Sequence, residues 1–358
     1  MAKLWGKDYS RTELMKRVGD ISQIGGVRMS ELADGKERGV RVADFNTGSG
    51  LEFTVAIDRS MDITAASYKS QSLAWRSACG TVAPAFYEPQ GLGWLRGYPG
   101  GLVVTCGLTH LGSPCVDKGE ELGLHGRISY IPASNVLADG VWNGDEYDMW
   151  VQGRMRETAV FGPDIEMRRT ISARLGEPRL VINDTVTNLG HERKEHMILY
   201  HCNMGFPLVD EGSKLVAPIS NCKPRDAEAE VEGNLFDTFT APIAGFAERV
   251  YYIDMAEDDD GFVTAGMINR KHGLGVYMKY RKRELPRFIE WKMMGEGIYV
   301  VGMEPANCLV EGRDKERERG TLQFLEPGES REYHLEFGVL SSNVEIDAFC
   351  TSIGSQGG

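Results

Sequence analysis

The sequence predicts an all-β protein built from large antiparallel sheets, and three observations support this prediction. Glycine accounts for 43 of the 358 residues, about 12% where an average protein has about 7%, so tight turns are frequent. Many short stretches alternate apolar and polar side chains, which is the period of a half-buried strand. A clear helical period occurs only within residues 1–20. We therefore expect a β-sandwich preceded by a short N-terminal helix.

Residues 1–20 carry the helical signal. Ser10 or Thr12 provides an N-cap, Glu13 supports the first turn, and apolar residues follow at helical spacing before Gly19. We expect this segment to form a helical extension packed outside the main body. Residues 21–358 contain no flexible linker, repeat or change in composition, so they are expected to form a single domain.

The strand pattern continues through the rest of the chain. Alternating stretches are found at residues 40–46, 51–58, 73–76, 147–153, 165–175, 179–188, 275–280, 287–292 and 333–340. Residues 176–179 read as a hairpin turn, and short helical turns are expected near residues 84–97. The charge-rich runs at 257–261 and 311–320 are most simply solvated loops.

Charge and cysteine content limit the partners and the compartment. Lys and Arg total 40 against 52 Asp and Glu, giving a net charge of −12, which argues against binding to nucleic acid or to an anionic membrane. The seven cysteines include no C-x-x-C pair and so favour reduced thiols. The chain shows neither a signal-peptide core nor a long apolar run. We expect a cytoplasmic protein, and a homodimer stays open.

The first candidate site segment is the turn around His125. Gly123 and Gly126 flank the histidine, and Arg127 follows two residues later. Glycines allow a ligand to approach the backbone closely, and residues two apart on a strand share a face. The pair would then bind adjacent hydroxyl groups. The simpler interpretation is a turn histidine beside an arginine that forms a salt bridge.

Two further segments supply acid and base groups. Alternation puts His201, Asn203 and Gly205 on one face of a strand, where the histidine would act as a proton donor and the asparagine would bind hydroxyls. Glu304 follows a strand and precedes Pro305, whose ring restricts the preceding backbone to extended conformations. A glutamate paired with a histidine suits sugar-ring chemistry. The simpler interpretations are a core histidine and a glutamate that caps a turn.

A fourth segment and one later strand add candidate binding residues. Arg59 and Asp62, together with Arg76, would bind polyol hydroxyls. Trp75 would stack on a sugar face. An internal salt bridge that steadies a turn explains the Asp and Arg residues equally well. Lys292 lies near Glu304 in sequence order and is a further candidate substrate contact.

Metal and nucleophile sites have weaker support. The seven histidines form no H-x-H or H-E-x-x-H pattern, so a metal would need distant ligands such as His125, His201 and Glu304. We expect no metal and no cofactor. Cys106 has no neighbouring histidine in sequence and reads as a buried small hydrophobe.

Read together, these segments resemble the aldose 1-epimerase-like branch of the galactose mutarotase-like superfamily, the DUF4432 family. The resemblance extends from about residue 25 to about residue 340. Five stretches carry it in register: DRSMDI (58–63), GGLVVTCGL (100–108), GLHGRI (123–128), YHCNMGFP (200–207) and GMEPANC (302–308). It implies a β-supersandwich that binds a sugar across a concave sheet face.

The resemblance also implies roles for individual residues. Glu304 corresponds to the base that takes the proton of the anomeric hydroxyl, and His201 to the acid that protonates the ring oxygen. His125 corresponds to the binding histidine, and Arg127 would contact sugar hydroxyls. The sequence departs from the Asn-His-x-Tyr-Phe-Asn motif of characterised relatives, and no residue matches the family's substrate-binding Asp.

We therefore expect a carbohydrate mutarotase that interconverts the anomers of an aldose or sugar acid. Two alternatives stay open. One is a non-catalytic carbohydrate-binding protein that retains the site, and the other is a metal-assisted isomerase or lyase that uses the same three residues as ligands. Several glycines flank the expected site, among them Gly205 and Gly302, where they would let a sugar lie close to the sheet.

Overall fold

The computed structural model describes residues 1–231 and 235–354. The strands are β1 (Ala2–Leu4), β2 (Lys7–Tyr9), β3 (Gly26–Glu31), β4 (Arg41–Asn46), β5 (Leu51–Ala56), β6 (Asp62–Tyr68), β7 (Gln71–Ser72), β8 (Val104–Leu108), β9 (Cys115–Asp117), β10 (Glu120–Leu122), β11 (Ser134–Asn143), β12 (Glu146–Thr158), β13 (Asp164–Arg174), β14 (Arg179–Asn188), β15 (Lys194–Gly205), β16 (Lys214–Val216), β17 (Ile219–Pro224), β18 (Arg249–Met255), β19 (Phe262–Asn269), β20 (Leu274–Arg281), β21 (Arg287–Gly295), β22 (Ile298–Ala306), β23 (Gln323–Leu325) and β24 (Ser330–Leu340). The α-helices are α1 (Arg11–Met15), α2 (Ala227–Glu230), α3 (Arg313–Arg319) and α4 (Asn343–Gly354).

Most of these strands belong to three large sheets in the described part of the chain. An eight-stranded sheet has the order β11-β12-β13-β14-β24-β20-β19-β16. A seven-stranded sheet has the order β17-β18-β21-β22-β15-β23, with β8 paired to β15, and a five-stranded sheet runs from β3 to β7. Neighbouring strands pair antiparallel. The predicted all-β, antiparallel fold is confirmed.

One large apolar core joins the three sheets. Phe45 of the five-stranded sheet, Ile182 of the eight-stranded sheet and Met303 of the seven-stranded sheet are all buried in it. Arg169 adds a polar anchor between the sheets, because its guanidinium donates to Asp184, Asp62 and Thr105. The sheets are therefore held together by apolar packing and by one buried charge network.

A second apolar cluster lies on the other face of the seven-stranded sheet. Because successive strand residues point to opposite faces, Leu199, Ile289 and Ala306 turn away from the main core. Trp94 and Tyr98, from the irregular segment before β8, pack on them. This face carries the candidate site.

The N-terminal helix is present but shorter than its expected extent. The Ser10 side chain accepts from the Glu13 backbone N–H at 3.2 Å, and the Glu13 carboxylate accepts from the Ser10 N–H at 2.9 Å, so Ser10 and not Thr12 is the cap. A β1–β2 hairpin, which the sequence did not reveal, precedes the helix. Leu4 and Leu14 are fully buried in the main core.

Two C-terminal helices were not predicted. The run 311–320 was expected to be a solvated loop, but it contains α3, where Arg313 and Arg317 both bind Asp117 and Gly320 ends the helix at φ 74°. In α4, Ile346, Phe349 and Ile353 are buried at helical spacing. None of the described helices is long and apolar enough to cross a membrane.

Candidate active site

His201 of β15 and Glu304 of β22 face each other across adjacent strands. Leu199 pairs with Ala306, and Cys202 pairs with Met303, so the same register puts His201 opposite Glu304. His201 Nδ1 lies 3.1 Å from Glu304 Oε1. Both side chains are buried, at 5% and 2% exposure. Strand β22 continues through Pro305, so Glu304 lies inside the strand rather than at its end.

Tyr98 and Asn203 complete a hydrogen-bonded chain behind the histidine. The Tyr98 hydroxyl donates to Asn203 Oδ1 at 2.6 Å and lies 3.2 Å from His201 Nδ1. The Asn203 amide nitrogen donates to the carbonyls of Gly101 and His201. Asn203 was predicted to bind substrate, but its amide nitrogen and oxygen both bond to protein groups. It therefore supports Tyr98 and His201 instead.

Aromatic rings form the walls around the pair. Trp291 lies edge-on to the His201 ring at 5.3 Å and to the Trp75 ring at 6.2 Å. Trp94 stacks on Tyr98 at 4.6 Å and meets the His125 ring at 4.8 Å. Trp75 and Trp291 are half-buried and so present part of two apolar rings in this aromatic cleft, whereas Trp94 and Tyr98 are buried.

His125 reaches the cleft from a turn and not from a strand. The residue adopts φ 56°, which is uncommon for residues other than glycine, although histidine adopts it more often than most. Its ring lies 5.9 Å from that of His201, and its Nδ1 is buried without a hydrogen-bond partner. The structure thus brings His125, His201 and Glu304 into one cleft.

Burial shifts the pKa values of Glu304 and His201 in opposite directions. It raises the pKa of Glu304 well above its ordinary value, and the negative charge of Glu248 adds to this, whereas Arg225 opposes it. Burial lowers the pKa of His201 well below its ordinary value, with His125 acting in the same direction. Each shift favours the uncharged form, because a dry site penalises charge.

The glycines near the site make room for protein atoms. A Cβ at Gly302 would lie 2.2 Å from Glu304 Oε1, and one at Gly205 would lie 2.6 Å from the Trp75 Cα. A Cβ at Gly126 would meet the His110 carbonyl at 2.3 Å. These glycines were expected to let a sugar lie close to the sheet. In the structure they instead allow protein atoms to pack closely.

Arg59 and Asp62 do not lie in the cleft. Arg59 is 1% exposed and donates to the carbonyls of Ser129 and Val82. Asp62 accepts from Thr105 and pairs with Arg169 at 3.1 Å in the core. Both residues hold the fold, although the expected salt bridge within the segment is replaced by carbonyl contacts of Arg59 and by the pairing of Asp62 with Arg169.

Arg76, Arg127 and Lys292 are also placed elsewhere. Arg76 is exposed and lines an open groove over the five-stranded sheet. Arg127 is exposed and lines a separate cavity of about 280 Å³ with Glu157. Lys292 pairs across strands with Val301 and points into the core face, where it donates to the Leu235 carbonyl at 2.9 Å. Trp75 is the member of this predicted group that reaches the cleft.

Sequence reasoning missed three cleft residues. Trp94 and Tyr98 lie in the glycine-rich segment between β7 and β8, where no strand period assigns a face. Trp291 was passed over in favour of its neighbour Lys292. Strand alternation indicates that Ile289 and Trp291 share a face. In the structure this face pairs with Glu304 and Gly302.

The described residues contain no group of three or more His, Cys, Asp and Glu side chains placed to hold a metal ion. Cys106 is buried, and burial raises the pKa of its thiol well above the ordinary value. This agrees with its interpretation as a small hydrophobe.

Comparison with known proteins identifies the family. The model of the domain of unknown function DUF4432 matches residues 37–339. The chain belongs to the DUF4432 family. No curated protein matches it.

Solved structures with the same fold include sugar-related enzymes. The "putative aldose 1-epimerase" of Klebsiella pneumoniae is 26% identical with a TM-score of 0.89, over 93% of this chain and 88% of that one. A galactose mutarotase-like protein of Clostridium acetobutylicum is 14% identical with a TM-score of 0.61, over 88% and 99%. The galactose 1-epimerase of Lactobacillus acidophilus is 11% identical with a TM-score of 0.56, over 88% and 98%. The DUF4432 chain thus has the galactose mutarotase-like fold that the resemblance implied.

Proposed function

We propose that this DUF4432 protein is an isomerase of the aldose 1-epimerase type, which interconverts the α and β anomers of a sugar. The buried pair of His201 and Glu304, 3.1 Å apart in an aromatic cleft, carries the proposal. The likeness to the Klebsiella pneumoniae protein supports it. Exchange of one proton at each end of a ring C–O bond requires one acid and one base within reach of the same sugar.

The reaction follows from the roles of the two groups. The Glu304 carboxylate takes the proton of the anomeric hydroxyl, and the electrons of the broken O1–H bond form the C1=O1 double bond of the aldehyde. The bond between C1 and the ring oxygen breaks, and the ring oxygen takes a proton from His201. Rotation about C1–C2 and closure on the other face of the aldehyde run the same steps in reverse, so no net proton is consumed.

The dry cleft favours the open-chain stage of this cycle. The ring-opening step described above starts from an ionic pair, with Glu304 charged and His201 protonated. After opening, both groups are neutral, which is the state that burial favours for each of them. The site therefore stabilises the pair at the stage where the aldehyde forms.

The cleft walls would hold the sugar. Trp75 and Trp291 present apolar ring surfaces on which the C–H faces of a sugar would pack. His125 lies close enough to His201 to contact the same ring. We infer that His125 binds a sugar hydroxyl.

NMR of freshly dissolved α-sugars tests the proposal. We expect wild-type protein to speed the approach to anomeric equilibrium and the variants Glu304→Gln and His201→Asn to lose that effect. Glu290→Gln is the matched control, because Glu290 is fully buried on β21 but points away from the cleft. If no sugar in a broad panel equilibrates faster with wild type than with the two variants, the proposal fails.

The second candidate is a non-catalytic sugar-binding protein, which the aromatic cleft alone would support. Thermal shift with the same panel separates the two, because a ligand that binds the native state raises the unfolding temperature without any turnover. Stabilisation without faster equilibration would favour this alternative.

A further inference from the structure

The amide of Asn203 fixes the direction of every hydrogen bond behind His201. Its nitrogen donates to the Gly101 carbonyl at 3.1 Å and to the His201 carbonyl at 2.9 Å. Carbonyl oxygens accept but cannot donate. The amide oxygen must therefore be the atom that faces Tyr98, and it can only accept.

The Tyr98 hydroxyl consequently has its one hydrogen committed. It donates to Asn203 Oδ1 at 2.6 Å, so its oxygen can only accept from His201 Nδ1, 3.2 Å away. A bare Nδ1 would set its lone pair against the lone pair of the Tyr98 oxygen, so Nδ1 carries a hydrogen.

The other ring nitrogen, Nε2, is available to a substrate. His201 Nε2 has no hydrogen-bond partner among residues 1–231 and 235–354, and it is not one of the fully buried unpaired atoms. It therefore opens to the cleft. We propose that Tyr98 is a positioning residue that keeps a hydrogen on Nδ1 and so reserves Nε2 of His201 for proton exchange with the substrate. The inference rests on the proposed function for the meaning of that exchange.

The surroundings of Tyr98 keep its hydroxyl in place and protonated. Tyr98 is 5% exposed and stacked on Trp94, which fixes the hydroxyl. Burial also raises the pKa of Tyr98 well above its ordinary value, so the donor stays protonated.

Nitrogen-15 NMR of histidine-labelled protein tests the proposal, with the His201 signals assigned by their loss in His201→Asn. At a pH where the ring is neutral, we expect a protonated Nδ1 and an unprotonated Nε2 in wild-type protein. Tyr98→Phe keeps the stacked ring but should give a mixture of tautomers. It should lower kcat about tenfold with little change in KM, the size of effect that one hydrogen bond produces. Tyr277→Phe is the matched control, because it loses a hydroxyl that donates to Glu336 in the eight-stranded sheet, which does not contain His201. It should change neither the tautomer signals nor the kinetics.

A wild-type spectrum with the hydrogen on Nε2 would overturn the proposal, even if Tyr98→Phe did not fold. Unchanged tautomer signals and kinetics in a folded Tyr98→Phe protein would also overturn it. The NMR experiment needs no turnover. If no sugar is equilibrated, the isomerase proposal fails while the tautomer measurement still decides the role of Tyr98.

Discussion

His196, five residues before His201 on β15, leads to a quantitative prediction for acid stability. The ring is fully buried. Its Nδ1 lies 3.3 Å from the Leu108 carbonyl, which can only accept, so Nε2 accepts from the Tyr333 hydroxyl at 2.6 Å. Protonation of Nε2 would turn it into a donor, so the Tyr333 hydroxyl would have to accept and turn its own hydrogen elsewhere. Burial, aided by the charge of Arg331, lowers the pKa of His196 to about 3.

The sign and size of the effect follow from linkage. The pKa is about 6.5 in the unfolded chain and about 3 in the native protein, so the unfolded state binds the proton first. The stabilisation from this group is complete above pH 6.5 and is lost as the pH falls toward 3. At pH 5 the unfolded state gains about 2 kcal/mol from protonation of this one residue.

Urea unfolding of wild type and His196→Gln at pH 8 and pH 5 measures this term. Glutamine can keep both hydrogen bonds but does not titrate, so other groups contribute equally to both proteins. The difference between their unfolding free energies should shift by about 2 kcal/mol between the two pH values, in favour of the variant in acid. His191→Gln is the control, because it measures how the loss of an exposed imidazole changes the unfolding free energy between the same two pH values. A shift below about 0.5 kcal/mol for His196→Gln would refute the reasoning.

Three further predictions concern the site and its support. Glu304→Gln should unfold at a higher temperature than wild type at pH 8, because the raised pKa makes the charged form destabilising there; the gain should vanish below about pH 4.5, while the anomerisation rate falls at least about a hundredfold. Arg169→Met should lower the urea unfolding free energy by about 3–5 kcal/mol, since Asp62 and Asp184 would be left as buried charges. Trp75→Ala should weaken sugar binding about tenfold in calorimetry, which is about 1.4 kcal/mol.

Each of the three has an outcome that contradicts it. Arg156→Met removes an exposed pair with Asp164 and should cost less than about 1 kcal/mol; an equal cost for Arg169→Met would mean that its network does not hold the sheets. A Glu304→Gln protein less stable than wild type at pH 8 would show that the carboxylate is well solvated. Unchanged affinity in Trp75→Ala would place the sugar away from that ring.

The sequence predicted the strands better than the way they are assembled. Alternation of apolar and polar residues located β4, β5, β12 to β14, β20 and β24, because each buries one side of a pleated strand, and it also located β21, whose two faces are both largely buried. The pairing of β15 with both β8 and β22 joins residues about a hundred positions apart, and no local pattern encodes it. Helix α4 was missed even though its buried residues are spaced helically, because a short amphipathic helix offers few apolar positions from which its period can be recognised.

The structure brings together the predicted site residues that were chosen for their chemistry, and it separates those for which a strand face had to be chosen. His201 and Glu304 are recognisable by type and motif. Lys292 was assigned to the site because it is polar, yet on β21 the site face belongs to Trp291. Glu290 and Lys292 lie on a face that is buried as well, so this strand lacks the contrast between a wet and a dry side from which a face is read.

The buried ionisable residues fall into two groups, those whose polar atoms are bonded within the fold and those that keep an unbonded polar atom. Arg59 donates to backbone carbonyls of irregular segments, and Arg169 donates to acceptors on two strands, so both charges stabilise the fold. Glu304 Oε1 instead has no well-aligned hydrogen bond despite its burial, so the cleft keeps a costly, incompletely satisfied carboxyl group. A sugar hydroxyl that donates to this oxygen would recover part of that cost on binding, and its proton would already lie where the base must take it.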